Sequence, residues 1–472
     1  MERRRFLRNL GWGTAGWWIV PQAFASCSKE DLNEDDLEDE LQPAITRSQN
    51  PSVIVIGAGA AGMYAASWLK AKGAQVTILE SSNRRGGRVK GLTGFADFIV
   101  EAGAEYIYGN SNLLYQWAVA QGAQFVNYAY KDYYRLDGVL QSENQIVNDP
   151  DVNAAWSFID NMPDYTGADM TVASYAAIQN IAPRVEHILE ADLGSEWGTD
   201  NAQLSIKGIA QEDNAWTAGN IDAFMANKSI GQVLDTQCAN ILPDILYDKK
   251  VVRIEYPAGS QPRVQDQNNT WHYADAIVVT VPIPVLKNNT ITFDPVLPSW
   301  KAAAIQNIGM GPGMKIILKF NQRFWANNLR YITSDLLSTV FWYTSKQRGN
   351  DHVLTAFVMG QNAAVLSAQG SAAVNTVVAE LDMMYGNNVA SNSLTASHIE
   401  DWGTNAHIGG AYSFPIVGGG GLTTRKNLYK ALNNRVFFAG EATNFKGHNS
   451  TVHGALETGL LAGKAVWKVY GV

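Results

Sequence analysis

Gly57, Gly59 and Gly62 have a spacing suited to binding a pyrophosphate, and they follow directly on the apolar run 53–56. Gly57 permits a tight turn, Gly59 lets backbone N–H groups approach the phosphates, and Gly62 lets the next helix pack against the strand. The positive end of that helix would face the phosphates. Glu80 stands where a carboxylate can accept hydrogen bonds from ribose hydroxyls. The pattern predicts a dinucleotide site.

The loop after Glu80 carries further residues that could hold a phosphate. Arg84 and Arg88 flank a pair of glycines that includes Gly87. Guanidinium groups could clamp an anion there, while the glycines let the backbone come close. A basic surface loop is the alternative interpretation of the same residues.

The elements that must position these residues are a strand, a glycine turn, a helix and a second strand. The runs 53–56 and 76–79 are continuous apolar stretches, as is typical of buried parallel strands. Helical spacing of apolar residues continues from the turn to Lys72. With 472 residues, the chain is long enough for two domains with substantial cores.

The pattern Glu80-x-x-x-Arg84-x-Gly-Gly-Arg88 after the glycine turn resembles the FAD-binding signature of the flavin amine oxidases. That family includes monoamine oxidases, polyamine oxidases, L-amino-acid oxidases and lysine-specific histone demethylases. The resemblance implies an α/β fold, with a doubly wound Rossmann-type FAD-binding domain and a second, mixed α+β substrate domain. The implied domain limits are 51–110, 226–295 and 430–472 for the discontinuous FAD-binding domain, and 111–225 and 296–429 for the substrate domain.

Residues 98–109 resemble a family segment that passes beside the isoalloxazine ring. Gly103 and Ala104 would allow close backbone approach, and Tyr106 and Tyr108 would face the substrate cavity. Amino-acid oxidases of the family hold the substrate carboxylate with an Arg at the position of Tyr106, which disfavours an amino acid as substrate. On pattern alone, the two tyrosines also fit one face of an ordinary strand.

Lys315 and Lys319 lie in an alternating stretch, 313–320, on the face opposite to the large apolar side chains. Alternation alone favours a solvent-exposed position for both lysines. The surrounding residues 309–325 resemble a family segment in which the corresponding Lys holds a water against flavin N5. The resemblance therefore implies a catalytic Lys315.

The run Gly410-Ala411-Tyr412-Ser413 resembles a family segment whose Tyr forms one wall of an aromatic cage at the flavin. On pattern alone, Tyr412 fits a core tyrosine equally well. The resemblance gives Tyr412 a catalytic and a substrate-binding role. In monoamine oxidases the residue before this Tyr is a Cys that links FAD covalently. Because this residue is Ala411 here, we expect FAD to be bound non-covalently.

Residues 435–459 resemble the second FAD signature of the family. Glu441 would contact the ribityl and pyrophosphate region, and the amide of Val452, at the start of the last helix, would meet the flavin pyrimidine. A helix N-terminus stabilises negative charge at that place. Thr451 stands where monoamine oxidases carry a second cage tyrosine, so this pocket would have one such wall.

The resemblance implies a full set of site residues and a reaction. Its FAD-binding positions are Gly57, Gly59, Ala61, Gly62, Glu80, Arg84, Gly87, Arg88, Gly103, Ala104, Glu105, Val251, Gly440, Glu441, Thr451 and Val452. Its substrate-binding positions are Tyr106, Tyr108, Tyr412 and Thr451. The implied reaction oxidises the C–N bond of a small-molecule amine by hydride transfer to flavin N5, and water hydrolyses the resulting imine. Oxygen, reduced to hydrogen peroxide, or another acceptor would reoxidise the flavin.

Three other functions are compatible with the sequence. They are an L-amino-acid oxidase, a desaturase or isomerase of long apolar chains, and a flavin-binding surface protein without catalysis. Lys315, Tyr412 and the two FAD signatures favour the amine oxidase. A long apolar tunnel without a cage tyrosine would favour the desaturase or isomerase.

Charge and composition exclude several kinds of partner. A formal net charge of −8 argues against nucleic acid or anionic lipid. The chain has two cysteines, Cys27 and Cys238, and no disulfide is expected because Cys27 falls in a processing site. The seven histidines show no HxxxH or HxH spacing, so the sequence predicts no metal site.

Residues 1–27 resemble a twin-arginine export signal with a lipobox. Arg3 and Arg4 open the signal, and an apolar stretch too short to span a membrane follows. Cleavage after Ala25 and cleavage before Cys27 both fit, and the second would leave a lipid anchor on Cys27.

An acidic tether, residues 28–50, follows the signal. Eight of its acids fall between positions 30 and 40, with little apolar material to bury. The expected location is the periplasm or, for the lipoprotein, the outer membrane or cell surface. A soluble protein with a basic tail is the alternative.

Overall fold

The computed structural model describes residues 48–126 and 131–472. The predictions of an export signal, a lipobox and most of the acidic tether lie outside the described residues. None of the helices within the described ranges combines the length and the apolar run that crossing a bilayer requires.

The described residues form strands of two to eight residues. In chain order these are β1 Ser52–Ile56, β2 Gln75–Leu79, β3 Gly91–Leu92, β4 Val100–Glu101, β5 Lys131–Leu136, β6 Val139–Ser142, β7 Ile245–Leu246, β8 Val251–Glu255, β9 Arg263–Asp266, β10 Trp271–Tyr273, β11 Ala276–Val279, β12 Thr292–Asp294, β13 Ile308–Met310, β14 Gly313–Phe320, β15 Leu329–Thr333, β16 Val340–Trp342, β17 His352–Met359, β18 Leu394–Asp401, β19 Ser413–Pro415 and β20 Val436–Phe438.

Helices lie among these strands, and six of the α-helices follow one another between β6 and β7. The α-helices are α1 Ala60–Lys72, α2 Leu113–Ala120, α3 Glu143–Ile146, α4 Pro150–Asn161, α5 Val172–Ile178, α6 Glu186–Leu189, α7 Ile206–Asn214, α8 Ile230–Gln237, α9 Ile283–Lys287, α10 Ser299–Gln306, α11 Gly360–Ala368, α12 Ala373–Tyr385, α13 Val389–Ser393, α14 Gly421–Tyr429 and α15 Val452–Tyr470. A π-helical segment, Glu190–Ser195, directly follows α6.

One of the two largest sheets is parallel and has the strand order β20-β11-β1-β2-β7. Its strands are apolar on both faces because each face is covered: α1 and α15 pack on one, and α10 and α14 on the other. Helix α15 lies close to α1, since a Cβ at Gly459 would meet the Ala61 carbonyl oxygen at 2.3 Å. The predicted α/β fold with a Rossmann-type domain is confirmed.

The other of the two largest sheets is mixed and has the strand order β18-β14-β17-β16-β15-β5-β6. Helices α11 and α12 cover one face of its centre. A predominantly helical region that includes α4 to α7 packs beside it around its own core. All five strands of the parallel sheet fall within the segments 51–110, 226–295 and 430–472, and the domain limits themselves remain predictions.

The prediction from alternation alone that Lys315 faces solvent is wrong. Strand β14 lies between β17 and β18, so both of its edges are paired. One face packs on α11 and α12, and Ile317, on the other face, packs against Val100 and Ala102. Lys315 is 4% exposed in consequence.

Candidate active site

A cavity of about 580 Å³ opens where the parallel sheet, the mixed sheet and the helical region meet. Of the residues predicted for the site, those that line it are Gly57, Gly59, Ala61, Glu80, Arg84, Gly87, Arg88, Gly103, Ala104, Glu105, Tyr106, Tyr108, Val251, Lys315, Tyr412, Gly440, Glu441, Thr451 and Val452. Gly62 lies behind the wall, where a Cβ would meet the Gly57 carbonyl oxygen at 2.0 Å. Gly62 therefore permits the turn itself, and the functional role of each residue remains a prediction.

The glycine turn leaves room for a ligand at the backbone. Gly57 has φ +104°, which favours glycine, and a Cβ there would lie 2.8 Å from Thr280 Oγ1. A Cβ at Gly59 or Gly440 would instead meet nothing within 4 Å, because both positions open onto the cavity. The backbone thus forms a cradle that the phosphates and flavin of FAD can approach closely, so the residues present fit this cofactor.

Glu80 at the end of β2 holds the turn together. Its Oε2 accepts a hydrogen bond of 2.8 Å from the Ala58 N–H, and its Oε1 accepts one of 2.9 Å from the Ser82 N–H. The carboxylate is 7% exposed and lines the cavity. This is where the acid of a dinucleotide-binding unit meets the ribose.

The arginines of the following loop are held in different ways. Arg84 donates to carbonyl oxygens of its own loop, including that of Gly87 at 2.6 Å. Arg85, which was not predicted for the site, forms a bidentate pair with Asp235. Arg88 Nη1 lies 2.8 Å from Glu441 Oε1 at the cavity wall. A phosphate clamp by Arg84 and Arg88 stays a prediction.

Glu441 links the two FAD signatures. Besides Arg88, its carboxylate accepts hydrogen bonds from the hydroxyl of Ser413 at 2.6 Å and the N–H of Ser450 at 2.9 Å. Burial raises the pKa of Glu441, but Arg88, the Ser413 hydroxyl and Arg425 outweigh burial and hold that pKa below its ordinary value. The carboxylate is therefore ionised at neutral pH.

The last helix, α15, begins at the cavity as predicted. Thr451 is its N-cap, with Oγ1 accepting from the Gly454 N–H at 2.9 Å. Thr451 and Val452 both line the cavity, so the positive end of a 19-residue helix faces it.

Lys315 occupies a buried cluster of charges at the cavity wall. Its Nζ donates to Glu105 Oε2 at 2.8 Å and to the Glu101 carbonyl oxygen at 3.0 Å, and it lies 4.9 Å from the centroid of the Trp342 ring. Arg348 Nη1 donates to the other carboxylate oxygen, Glu105 Oε1, at 2.5 Å. Both oxygens of Glu105 thus accept a hydrogen bond from a cation.

Two members of this cluster were not predicted from the sequence. Arg348 lies in the turn between β16 and β17, in a stretch without a motif, so only the fold reveals its role. Glu101 has one oxygen, Oε1, that accepts from the Ile230 N–H at 2.7 Å, and burial raises its pKa to about 7.

Aromatic rings line the cavity beside Lys315. Tyr106 stacks with Tyr108 and Tyr331 at centroid distances of 5.5 and 6.3 Å, and Trp342 meets it edge-on at 6.1 Å. Tyr412 donates its hydroxyl to the carbonyl oxygen of Ser195 in the π-helical segment at 2.7 Å. Tyr412, which directly precedes β19, is therefore tied to the helical wall.

The helical wall is acidic, which the sequence motifs did not indicate. The carboxylates that line it, with neighbouring strand β5, are Asp132, Asp160, Asp192 and Glu196, while Asp222, in the loop before α8, lines the cavity near Gly109 and accepts a 3.2 Å hydrogen bond from its N–H. Arg330 also lines this side, and its Nε forms a 2.7 Å hydrogen bond with Asp132. Asp192 and Glu196 lie one turn apart on a helical stretch, a spacing that does not by itself distinguish a site from an exposed helix face.

The fold also gathers His448, His453 and Glu457, with ligand-type atoms within 4.8 Å of one another. Their spacing crosses from a loop into α15, so no sequence motif marks them. His448 Nδ1 bonds to Glu457 Oε2 at 2.8 Å, and His448 Nε2 bonds to the Thr217 N–H at 3.2 Å. These contacts describe a hydrogen-bonded group, and the absence of a metal site remains a prediction.

Comparison with known proteins agrees with this site. A model of the family described as flavin containing amine oxidoreductase matches residues 177–466, which is more than half of the chain. A model of an NAD(P)-binding Rossmann-like domain matches residues 55–119. Polyamine oxidase 3 of Oryza sativa subsp. japonica is 28% identical over 449 residues, which cover 88% of this chain and 89% of the rice protein.

Solved structures share the fold. Cyclohexylamine oxidase from Brevibacterium oxydans IH-35A superposes with a TM-score of 0.74 and 20% identity, covering 89% of this chain and 99% of that one. Wild-type putrescine oxidase bound to putrescine superposes with a TM-score of 0.76 and 17% identity, covering 90% and 100%.

The family match and the cavity together assign the cofactor and the reaction. FAD is the cofactor, and the protein is an FAD-dependent enzyme that oxidises an amine, as the sequence resemblance implied. This chain belongs to the family of flavin containing amine oxidoreductases.

Proposed function

We propose that this enzyme oxidises a di- or polyamine. The observation that carries the proposal is the set of four carboxylates on the helical and β5 side of the cavity, accompanied on that side by Arg330, which is bonded to one of them. A substrate with several ammonium groups gains from such a wall, because hydrogen bonds between charged groups are among the strongest in proteins. The names of the rice relative and of the putrescine-bound structure support the same substrate class.

The aromatic side of the cavity complements the acidic side. The faces of Tyr106, Tyr108 and Tyr331 can pack on the methylene chain of an amine, and electron-rich rings attract an ammonium group. Carboxylates then fix the far ammonium, so the distance between the two sides selects the length of the chain.

An amino-acid substrate is disfavoured by the same wall. Its carboxylate would need a cationic partner, and Arg330 already bonds to Asp132. Tyr106 stands where the amino-acid oxidases of the family carry their Arg.

The residues of this chain then act on the reacting end of the amine. FAD, when bound, would supply the acceptor for the hydride that leaves the α-carbon of the amine, and the C–N bond would become the C=N bond of the imine. Lys315 places a fixed positive charge at the wall beside Trp342, and the N-terminus of α15 adds a positive potential at Val452. Tyr412, tethered at its hydroxyl, holds its ring in one orientation and excludes water from the reacting carbon.

The proposal is tested by changing the acidic wall. We expect Asp192→Asn combined with Glu196→Gln to lower kcat/KM for putrescine about 10- to 100-fold, since the loss of one charged hydrogen bond to the far ammonium costs about 1.5–3 kcal/mol. Butylamine, of the same length with one amine, should lose little. Glu186→Gln, an exposed glutamate on α6, is the matched control. Equal losses for putrescine and butylamine would contradict the proposal.

A further inference from the structure

Glu105 is the meeting point of two buried cations. Lys315 Nζ lies 2.8 Å from its Oε2, and Arg348 Nη1 lies 2.5 Å from its Oε1. The three side chains are 2% to 5% exposed. A carboxylate bridging two cations at this depth leaves neither oxygen for another strong partner.

Lys315 and Arg348 each have a further hydrogen-bond partner besides Glu105. Lys315 projects from strand β14, which is paired on both edges, and also donates to the Glu101 carbonyl oxygen at 3.0 Å. Arg348 projects from the turn before β17, and its Nε donates to the Met225 carbonyl oxygen at 3.0 Å. Glu105 follows β4 by four residues and cannot move without breaking both pairs, so its position determines where the Lys315 ammonium rests.

We propose that Glu105, clamped by Arg348, is a positioning residue for Lys315: it fixes the ammonium at the cavity wall and acts on amine oxidation through Lys315. This inference is independent of which amine the enzyme takes. It differs from the cofactor-binding role that the family resemblance implies for Glu105, because the carboxylate is already occupied by the two cations.

Electrostatics agree with the geometry. Burial raises the pKa of Glu105, but Lys315 and Arg348 outweigh burial, and the net effect is a pKa below the ordinary value. The carboxylate therefore stays negative at neutral pH and keeps both cations in place. A neutral amide at this position could accept from only one of them through its single oxygen.

The first test is the chemical accessibility of Lys315 in the FAD-loaded protein. Reductive methylation with formaldehyde and cyanoborohydride, read out by tandem mass spectrometry, should modify Lys315 at least about tenfold faster in Glu105→Gln than in the parent, because the charged hydrogen bond that holds Nζ is lost. Lys319, paired with Asp351 on the same strand face, is the internal reference and should keep its rate.

Glu101→Gln is the matched control variant. It changes another buried glutamate of the same segment, but the Glu101 side chain bonds to Ile230, and only its carbonyl oxygen contacts Lys315. We expect parental methylation of Lys315 in Glu101→Gln. An unchanged Lys315 rate in Glu105→Gln, or an equal increase in Glu101→Gln, would overturn the proposal.

The second test is a double-mutant cycle on the half-reactions. In the parent, Glu105→Gln should lower the rate of flavin reduction by amine, or the rate of flavin reoxidation, about tenfold or more. In Lys315→Met, the same substitution should leave both rates almost unchanged, because a residue that acts through Lys315 has no effect once Lys315 is gone. Equal losses in both backgrounds would mean that Glu105 contacts FAD or substrate directly, and would overturn the proposal.

Glu105→Asp keeps both tests available if Glu105→Gln does not fold. It retains the negative charge but is one methylene shorter, so it cannot span the two cations. We expect Lys315 to be methylated at a rate between the rates in the parent and in Glu105→Gln. We also expect the effect of Glu105→Asp on the flavin half-reactions to disappear in Lys315→Met. If Glu105→Asp matched the parent in the methylation rate of Lys315 and in both flavin half-reactions, the proposed positioning of Lys315 by Glu105 would be contradicted.

Discussion

Lys315 and Lys319 lie four residues apart on one face of β14 but have different surroundings. Lys315 is 4% exposed and shares Glu105 with Arg348 at the cavity wall. The Lys319 side chain is 26% exposed, pairs with Asp351 and does not line the cavity. The contrast predicts that only one of the two lysines affects the chemistry.

We expect Lys315→Met to bind FAD normally and to react slowly. The substitution retains most of the apolar stem but removes the charge, and loss of one well-placed electrostatic group typically costs about 10²–10³ in rate. Stopped-flow measurement of flavin reduction and reoxidation, beside FAD titration of the apoprotein, separates rate from binding.

Lys319→Met is the internal control and should behave like the parent in both half-reactions. If Lys315→Met and Lys319→Met reacted at the same rate as the parent, Lys315 would have no catalytic role.

How much of the site was predictable differs from residue to residue. The glycines and Glu80 were predictable because each is required by local backbone geometry, within one strand-turn-helix-strand unit. Arg348 was not, because its contact with Glu105 spans more than two hundred residues and depends on how two sheets meet. The burial of Lys315 depended on the segment that covers the second face of β14, which alternation cannot reveal.

The π-helical segment Glu190–Ser195 is the element that shapes the acidic wall. It brings Asp192 and Ser195 to the cavity and offers the Ser195 carbonyl oxygen to the hydroxyl of Tyr412. Wide helical turns of this kind occur often at functional sites. Its residues have no distinctive pattern, whereas the start of α15 at Val452 was predicted from the resemblance of residues 435–459 to the second FAD signature, and the structure adds that Thr451 caps it.

Glu190 gives this segment a pH dependence. Burial raises the pKa of Glu190 to about 7, so the folded protein favours the protonated form. Such a group contributes stability at low pH, and this contribution is lost as the pH rises through the folded-state pKa. Compared with Glu190→Gln, the parent should lose on the order of 2 kcal/mol of unfolding free energy between pH 5 and pH 8.

The measurement is the thermal unfolding midpoint of both proteins across this pH range. Glu186→Gln, on the preceding helix and exposed, should follow the slope of the parent. A constant difference between the parent and Glu190→Gln from pH 5 to pH 8 would show that Glu190 titrates as an ordinary glutamate.

At the scale of the whole molecule, the site exists because two sheets and a helical region converge. The parallel sheet supplies the glycine cradle, the mixed sheet supplies Lys315 and aromatic rings, and the helical region supplies acids. The sequence predicted the first of these contributions from local motifs. The acidic wall could not be predicted, because it gathers side chains from separate helices and strands whose docking has no local signal.

We further propose that the protein is exported by the twin-arginine route and anchored through Cys27, from the residues at positions 1–27. Replacing Arg3 and Arg4 by Lys should leave the protein in the cytoplasm on cell fractionation. Labelling with a palmitate analogue should occur in the parent and disappear in Cys27→Ala. Normal delivery of the Lys variant to the envelope would contradict export by this route.

We propose that the enzyme oxidises amines with several ammonium groups by means of bound FAD. The most direct test of this proposal is an anaerobic titration of the purified protein with putrescine, spermidine and butylamine, following the absorbance of the bound flavin. We predict rapid bleaching by putrescine or spermidine at concentrations where butylamine bleaches slowly. Flavin that stays oxidised with every amine, or that is bleached equally fast by butylamine, would contradict the account.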